Sequence, residues 1–376
     1  MVEKVERNGT HAAGLTDEEA ALYDRQIRLW GVEAQQRLRK ARILLVGLAG
    51  LGNEICKNIL LAGIQHLTML DDATMTEDDT LMQFLSPQEN VGKNKAESCY
   101  TRAKKLNPLV DIVVDTESIA QKSESFLGNF DVVCMTGYDL ALQEKVNAIC
   151  HKLDVKFLSG NTFGYYGYMF ADLQEHKYME EKVKVLKATD SSTNGQDGPS
   201  SAKKPKKDAN EEVEYEEQET SFCSLADAMS VSLFEGMSLR QAKQVSKTYL
   251  VFCVLEEYYK RHKRYPDLIG SNQEVDDLLE VRNDVFEKLK IDNELLGDEF
   301  TSNCAGEFYP VNAIVGGVMA QEVIKAVSGK DTPHNNFFFY DGVATTGMVQ
   351  NISKVQKEKK MKKEKTNQPF SEAVVL

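Results

Sequence analysis

The stretch Arg42-Ile43-Leu44-Leu45-Val46-Gly47-Leu48-Ala49-Gly50-Leu51-Gly52 sets a short apolar run directly against a glycine-rich turn. A run of that length bounded by glycine reads as a buried strand. Downstream, Asn53 to Ala62 has helical character, and Gly63 is its C-cap glycine. His66 to Leu70 is the next strand, ending in Asp71-Asp72. Strand, glycine turn, helix and acidic strand end together form a nucleotide-binding signature. In it glycine makes the tight turn, the helix N-terminus faces phosphate, and the carboxylate takes ribose hydroxyls. Gly47, Gly50, Gly52 and Asp71 are the candidate binding residues. Ala49 stands where the signature asks for a second glycine, and its β-carbon crowds an approaching phosphate. The same residues also fit a phosphate-free turn that packs helix on strand.

The alternation continues outward. Ser98 to Leu106 reads as helix, Val110 to Val114 and Phe130 to Met135 as strands, Leu140 to Lys152 as helix and Lys156 to Ser159 as strand. This order predicts a mostly parallel, doubly wound α/β sheet covered on both faces. Upstream, residues 1–14 read as a disordered tail, and Leu15 to Lys40 as helix with Thr16 and Glu19 at capping-box spacing. Between 181 and 219 the pattern fails. The stretch is polar and nearly free of large aliphatic residues, which predicts a disordered insertion dividing one domain into 15–180 and 220–345. In the second part, Leu239 to His262 and Glu274 to Lys290 are helical. Pro310 to Val327 is a strongly apolar helix with Gly316-Gly317 in its middle, and Phe337 to Asp341 is a buried strand. Residues 346–376 read as a basic disordered tail.

Lys+Arg total 45 against Asp+Glu 58, a net charge of −13 that argues against a general nucleic-acid binder. No apolar run approaches the ~20 residues of a membrane span, and the N-terminus lacks the apolar stretch of a secretory signal. Membrane and secreted classes are therefore set aside. The seven cysteines include no Cys-x-x-Cys pair, which predicts reduced thiols and no thiolate zinc site; no metal ligand set is nominated. Lys203-Lys204-Pro205-Lys206-Lys207 has the composition of a nuclear-import signal and equally that of a solvated charge run. The nucleus, with the cytoplasm second, is the expected compartment.

Tyr23-Asp24-Arg25-Gln26-Ile27-Arg28-Leu29-Trp30-Gly31 resembles the opening motif of ubiquitin-like-protein activating enzymes and their bacterial sulfur-carrier adenylating relatives. Val91 to Ala96, which contains Lys95, resembles the family's Gly-x-x-Lys-Ala segment. Phe163 to Tyr168 and Pro310 to Lys325 resemble two later family segments, so the match runs from about Thr16 to Gly342 around the polar insertion. The resemblance implies a Rossmann-like adenylation fold of the ThiF/MoeB type. Within the family the chain looks most like the small subunits, lacking the thioester cysteine, that serve activation of the modifier SUMO.

In that family two adenylation-type halves pair, and the residues here imply the non-catalytic half. The active half carries an Asn-x-x-Arg-Gln stretch, and its asparagine and arginine positions are Asp79 and Met82 here. A thioether cannot replace a guanidinium at a phosphate. Its Mg²⁺-binding aspartate corresponds to Tyr138, with Asp139 displaced by one. Gly47, Gly50, Gly52, Asp71 and Lys95 then form a vestigial nucleotide site. ATP and Mg²⁺ are expected on a larger partner subunit that also carries the thioester cysteine, with SUMO as the substrate of an obligate heterodimer. Arg25 is implied to reach in trans onto the partner's ATP. All seven cysteines read as inert; Cys150 and His151 are adjacent on a helix and point in different directions. Asn312, Gly316, Gly317 and Gln321 are interface candidates, with plain core packing an equal alternative. Mid-helix glycines cost ~1 kcal/mol each against alanine, so close packing must offset them.

Three other functions compete. An autonomous sulfur-carrier-type adenylating enzyme is opposed by Met82 and Tyr138. An NAD-dependent oxidoreductase shares Gly47 to Gly52 and Asp71 but leaves Tyr23 to Gly31 without a role. A pure scaffold differs from the leading reading only in the fate of Arg25.

Overall fold

The structure, a computed structural model, describes residues 15–185 and 211–354. Three short helices replace the single one expected at the start: α1 (Asp17–Leu22), α2 (Asp24–Trp30) and α3 (Val32–Leu38). The capping box of Thr16 and Glu19 is formed. Tyr23 turns inward between α1 and α2, and Gly31, at φ +88°, makes the corner between α2 and α3. A side chain at that corner would be strained.

The chain then builds β1 (Arg42–Val46), α4 (Gly50–Ala62), β2 (His66–Leu70), α5 (Lys95–Leu106), β3 (Asp111–Asp115), β4 (Val132–Thr136), α6 (Leu140–Lys152) and β5 (Lys156–Phe163). β6 (Tyr166–Asp172), β7 (Glu175–Val185) and β8 (Glu211–Ser221) follow, then α7 (Lys247–His262), α8 (Asn272–Leu289), α9 (Tyr309–Ser328), β9 (Phe337–Asp341) and β10 (Thr346–Gln350). The eight-stranded sheet has the order β10-β9-β6-β5-β4-β1-β2-β3. β3, β2, β1, β4 and β5 are parallel, while β6, β9 and β10 join antiparallel at one side.

Alternate strand residues feed two cores. Leu44 and Val46 face a cluster with Phe157, Phe252 and Phe337, under α6 to α8. Ile43 and Leu45 face Ile55, Val315 and Val323, under α4 and α9. Each fully buried side chain of this size contributes ~1.5–3 kcal/mol, so the sheet is anchored from both sides.

Two expectations fail here. Residues 181–185 and 211–219 are not a disordered insertion; they belong to β7 and β8, which pair in register from Glu175–Ser221 to Val185–Glu211. Backbone pairing and opposite charges, as in Lys177 opposite Glu219 and the Lys182–Glu216 ion pair, hold the ribbon. Residues 346–350 are likewise not tail but β10, pinned by its pairing with β9. The disordered-tail assignment for 1–14, the Lys203–Lys207 cluster and residues 355–376 lie outside the described residues. The helix expected over Leu239 to His262 is interrupted: a short turn of helix ends at Ala242 and α7 starts at Lys247.

Candidate functional site

Reversal of strand order between β1 and β4 creates the crevice in which open α/β sheets bind ligands. The glycine turn lies there. At Gly47, φ is +91°, and a β-carbon would stand 2.1 Å from the Thr136 carbonyl oxygen. At Gly52 it would stand 2.0 Å from the Gly47 carbonyl. These two glycines are required by packing of the chain on itself, whether or not a phosphate is present.

The other candidate residues gather around the turn, and each is already partnered. Asp71 is buried, accepting the Leu48 N–H at 2.7 Å and the Ala73 N–H at 2.9 Å. Burial raises its pKa against these donors. Asn94 caps α5 through its side-chain oxygen and donates to the Asp71 carbonyl, which sets Lys95 at the first turn beside the crevice. The Lys95 ammonium pairs with Asp79 at 2.7 Å, and Thr76 donates twice to the same carboxylate. Burial opposes ionisation of Asp79, yet Lys95 and Thr76 outweigh it and hold the carboxyl below its ordinary range. The Asp79 carboxylate thus neutralises the Lys95 cation. Met82 presents its carbonyl oxygen toward Gly50 and brings no donor.

Tyr138 leaves β4 and approaches Asp72, at the end of β2, with its hydroxyl 3.5 Å from a carboxylate oxygen. Because β4 and β2 flank β1, the side chain crosses the mouth of the crevice above the glycine turn. Asp139 is committed to capping α6, accepting the Leu142 N–H. Behind it, Glu256 of α7 accepts the Leu140 N–H at 3.2 Å and the Tyr265 hydroxyl at 2.8 Å, and burial pushes its carboxyl up to about 7. The empty space among Leu48, Met75, Asp79, Gln83, Lys95 and Cys99 is only about 150 Å³. Ligand pockets occupy ~300–1,000 Å³, so that space by itself is too small for a nucleotide.

A second region is built the opposite way. Tyr23 is wholly buried, and its hydroxyl accepts from Asn107 at 2.9 Å. Gln26 donates to the Leu61 carbonyl, and Trp30 donates to Gln35, which in turn holds the Ala62 carbonyl. The motif Tyr23 to Gly31 therefore clamps α2 onto the end of α4 and leaves Arg25 pointing away. Arg28 pairs with Asp24. Arg25 is exposed and has no hydrogen bond or ion pair among the described residues. Beside it a groove with about 1250 Å³ of empty space, open to solvent, runs between Gln26, Leu29, Leu61, Gly317, Gln321 and Ile324. Leu29 is 77% exposed and Leu61 45%.

The four interface candidates separate. Asn312 is completely buried, accepting from Thr162 at 2.5 Å and donating to Glu307 at 3.1 Å. Gly316 packs on α4, where a β-carbon would stand 2.7 Å from that of Glu54. These two are interior, a correction that follows from the 100° step between helix neighbours. A β-carbon at Gly317 would meet nothing within 4 Å, and Gln321 is exposed on the same open side.

Burial raises the pKa of all seven cysteines, those of Cys99, Cys134, Cys150, Cys253 and Cys304 to about 12. A thiol held protonated is a poor nucleophile. His151 turns from Cys150 to the buried Asp172, at 2.8 Å. The structure adds one pairing without a sequence signal, Asp79 with Lys95 sixteen positions away, and one residue the sequence reading did not nominate, Glu307 on the loop before α9.

The glycine turn, the strand order and the late helix define an adenylation-type α/β protein, and the chain belongs to the ThiF family, whose model matches residues 23–365. Among curated relatives it is similar to "SUMO-activating enzyme subunit 1" of Xenopus tropicalis, 44% identical over 93% of this chain and 98% of that one. It is 45% identical to the Homo sapiens protein of the same name, over 93% of this chain and 99% of that one, and 42% identical to the Danio rerio protein, over 94% and 99%. Among solved structures it is similar to the crystal structure of E. coli MccB with succinimide, at TM-score 0.49 and 14% identity, covering 89% of this chain and 73% of that one.

Proposed function

We propose that the chain is the subunit without the thioester cysteine in a heterodimeric SUMO-activating enzyme. ATP and Mg²⁺ are bound by the larger partner subunit. There a carboxylate oxygen of the modifier's C-terminus attacks the α-phosphorus of ATP and pyrophosphate leaves; the partner's cysteine thiolate then attacks the acyl carbon, AMP leaves, and a thioester forms. Negative charge builds on the α-phosphate as the new bond forms, and a guanidinium inserted from outside stabilises it. Arg25 has the properties that role requires. It is solvent-facing, unpaired among the described residues, and carried on a helix fixed by Tyr23, Gln26 and Trp30.

The observation that carries this reading is the contrast between that free arginine and a nucleotide crevice filled by the chain's own side chains. The same filling counts against an NAD-dependent oxidoreductase and against an autonomous adenylating enzyme, both of which need the crevice open. The groove beside α2 and α9, with Leu29, Leu61 and Ile324, is the surface on which the partner docks, and stable obligate interfaces bury about 2,000 Å² or more. A nuclear place of work is proposed on the composition of the Lys203–Lys207 cluster.

The test is reconstitution. The chain alone should support no modifier-dependent pyrophosphate exchange, and the complex with the large subunit should exchange while binding one ATP per heterodimer. Exchange by the isolated chain, or two tight ATP sites per complex, would overturn the proposal.

A further inference from the structure

We propose that the foot of the β7–β8 ribbon belongs to the docking surface and gives the groove an acidic end, which selects a partner element whose apolar stripe ends in an arginine or lysine. The inference rests on the reading that this groove receives the large subunit, and it names the chemistry that subunit must bring. The groove follows α9 from Gly317 to Ser328, about 16 Å of helix. Leu29, Leu61, Ala320 and Ile324 line that length. A β-carbon at Gly317 would meet nothing within 4 Å, which leaves room for an incoming backbone. Past Ser328 the lining turns charged, with Lys330, Asp331 and Glu181 of β7 completing it.

Four contacts fix Glu181 at that end. Met179, two residues before it, donates its N–H to the Gly329 carbonyl at 2.9 Å and accepts the Asp331 N–H at 3.2 Å. Thr332 donates to Glu180 at 3.0 Å. The Lys330 ammonium lies 4.3 Å from the ring centre of Tyr215, which is paired with Glu181 across the ribbon. The cations close by are already engaged. Lys325 meets the buried Glu322 at 2.7 Å and the Thr332 carbonyl at 3.0 Å, Lys330 covers the Tyr215 ring, and Lys182 pairs with Glu216. Glu181 and Asp331 are exposed, and neither carboxylate has an ion pair or hydrogen bond among the described residues. The C-terminal carbonyls of the 20-residue α9 add the negative pole of a helix dipole at the same end. Shape and charge therefore ask for one occupant. Its methylenes lie along the apolar wall, and its cationic head reaches the two carboxylates.

The experiment compares two charge-neutralising pairs in the full chain, read as the rate of association with the large subunit in stopped flow. Glu181→Gln with Asp331→Asn should slow association about fivefold to tenfold at about 0.05 M salt, and the difference should shrink below about twofold at about 1 M, where charges are screened. Asp276→Asn with Glu280→Gln changes the net charge equally on α8, across the sheet from α4 and α9. That pair should stay within about twofold of wild type at both salt concentrations. Both pairs should keep the wild-type urea midpoint, because all four side chains are exposed. Association of the Glu181→Gln, Asp331→Asn chain at the wild-type rate in low salt, or equal slowing by the α8 pair, overturns the acidic selector. A dimer of the chain alone that the same variant disrupts would overturn the large subunit as its occupant. A wild-type chain that does not bind the large subunit at all would instead overturn the heterodimer reading beneath it.

Discussion

The strand-end crevice and the α2–α9 face occupy neighbouring parts of one chain, and they treat polar groups in opposite ways. In the crevice Asp71 accepts two amides, Lys95 meets Asp79, Asn312 meets Glu307 and Tyr138 reaches Asp72. On the outer face Arg25 meets nothing among the described residues, and Leu29, Leu61 and Gly317 border about 1250 Å³ of open groove. Unmet hydrogen-bonding groups and exposed apolar area mark where free energy is still to be gained. The crevice thus has its polar groups satisfied within the chain, while the face has polar and apolar groups left unmet among the described residues.

The largest effect expected is at Arg25. Arg25→Ala should reduce pyrophosphate exchange by the reconstituted complex about 10²–10³-fold, or ~2.7–4 kcal/mol of transition-state stabilisation. Assembly and thermal stability should hardly change, because the side chain is exposed. Arg25→Lys should recover only part of the loss, since an ammonium lacks the planar fork. Exchange at the wild-type rate in Arg25→Ala would reduce the chain to a scaffold.

Adjacent glycines give the next test. Gly317→Glu should fold normally yet weaken association with the large subunit by about 30-fold or more, as a charge is driven into a docking surface. Gly316→Ala should act on folding instead, costing about 1–3 kcal/mol through overpacking on Glu54. Sedimentation of the mixed subunits and urea unfolding separate the two outcomes. Equal effects from both substitutions would erase the distinction between interior and face.

pH probes the crevice wall. The Glu256 carboxyl titrates near 7 when folded, above its ordinary value of 4.5. Between those values the unfolded chain has lost the proton and the folded chain has kept it, so stability falls as pH rises through this window and levels off above it. Glu256→Gln should therefore gain about 1–3 kcal/mol relative to wild type between pH 5 and pH 8. Buried His176, lowered to about 4, acts in the opposite sense below pH 6.5 but is common to both proteins and cancels. A constant difference in urea midpoints across this range would contradict the assignment.

The smallest effect is expected from repairing the lost arginine. Met82→Arg should create no second ATP site, because Asp79 still holds Lys95, Glu307 still sits at Gly50 and Tyr138 still crosses the mouth. Equilibrium dialysis showing two ATP per complex would show that one residue had closed the crevice.

Much of the parallel sheet was legible because its strands are short apolar runs separated by glycine and helical periodicity; Arg42 to Val46 and His66 to Leu70 match residue for residue. Among the antiparallel strands Phe337 to Asp341 was equally legible for its aromatic run, and the others were not. β7 and β8 are dominated by charged residues, so their few apolar positions make no pattern that stands out in the sequence, and Thr346 to Gln350 was hidden by the basic segment that follows. At the site, residue types drew attention to Asp79 and Met82, but not to the pairings around them. Asp79 with Lys95, and Glu307 with Asn312, are pairings made by tertiary approach, and no local rule links their positions. The division of Asn312 and Gly316 from Gly317 and Gln321 likewise needed the rotation of α9 against α4.

The β7–β8 ribbon has a practical corollary. Its two strands enter and leave at Glu175 and Ser221, which are paired partners joined by a 2.6 Å hydrogen bond, and beyond them the ribbon meets the body through Met179 and Lys330. Paired residues across antiparallel strands lie about 5 Å apart, so the frame presents a socket with closely spaced ends. Length added between those ends costs little loop entropy and strains no sheet strand. A folded module with adjacent termini, such as a fluorescent reporter or an affinity handle, can be spliced between the strands without disturbing the adenylation-type body, which makes this the place to instrument the chain.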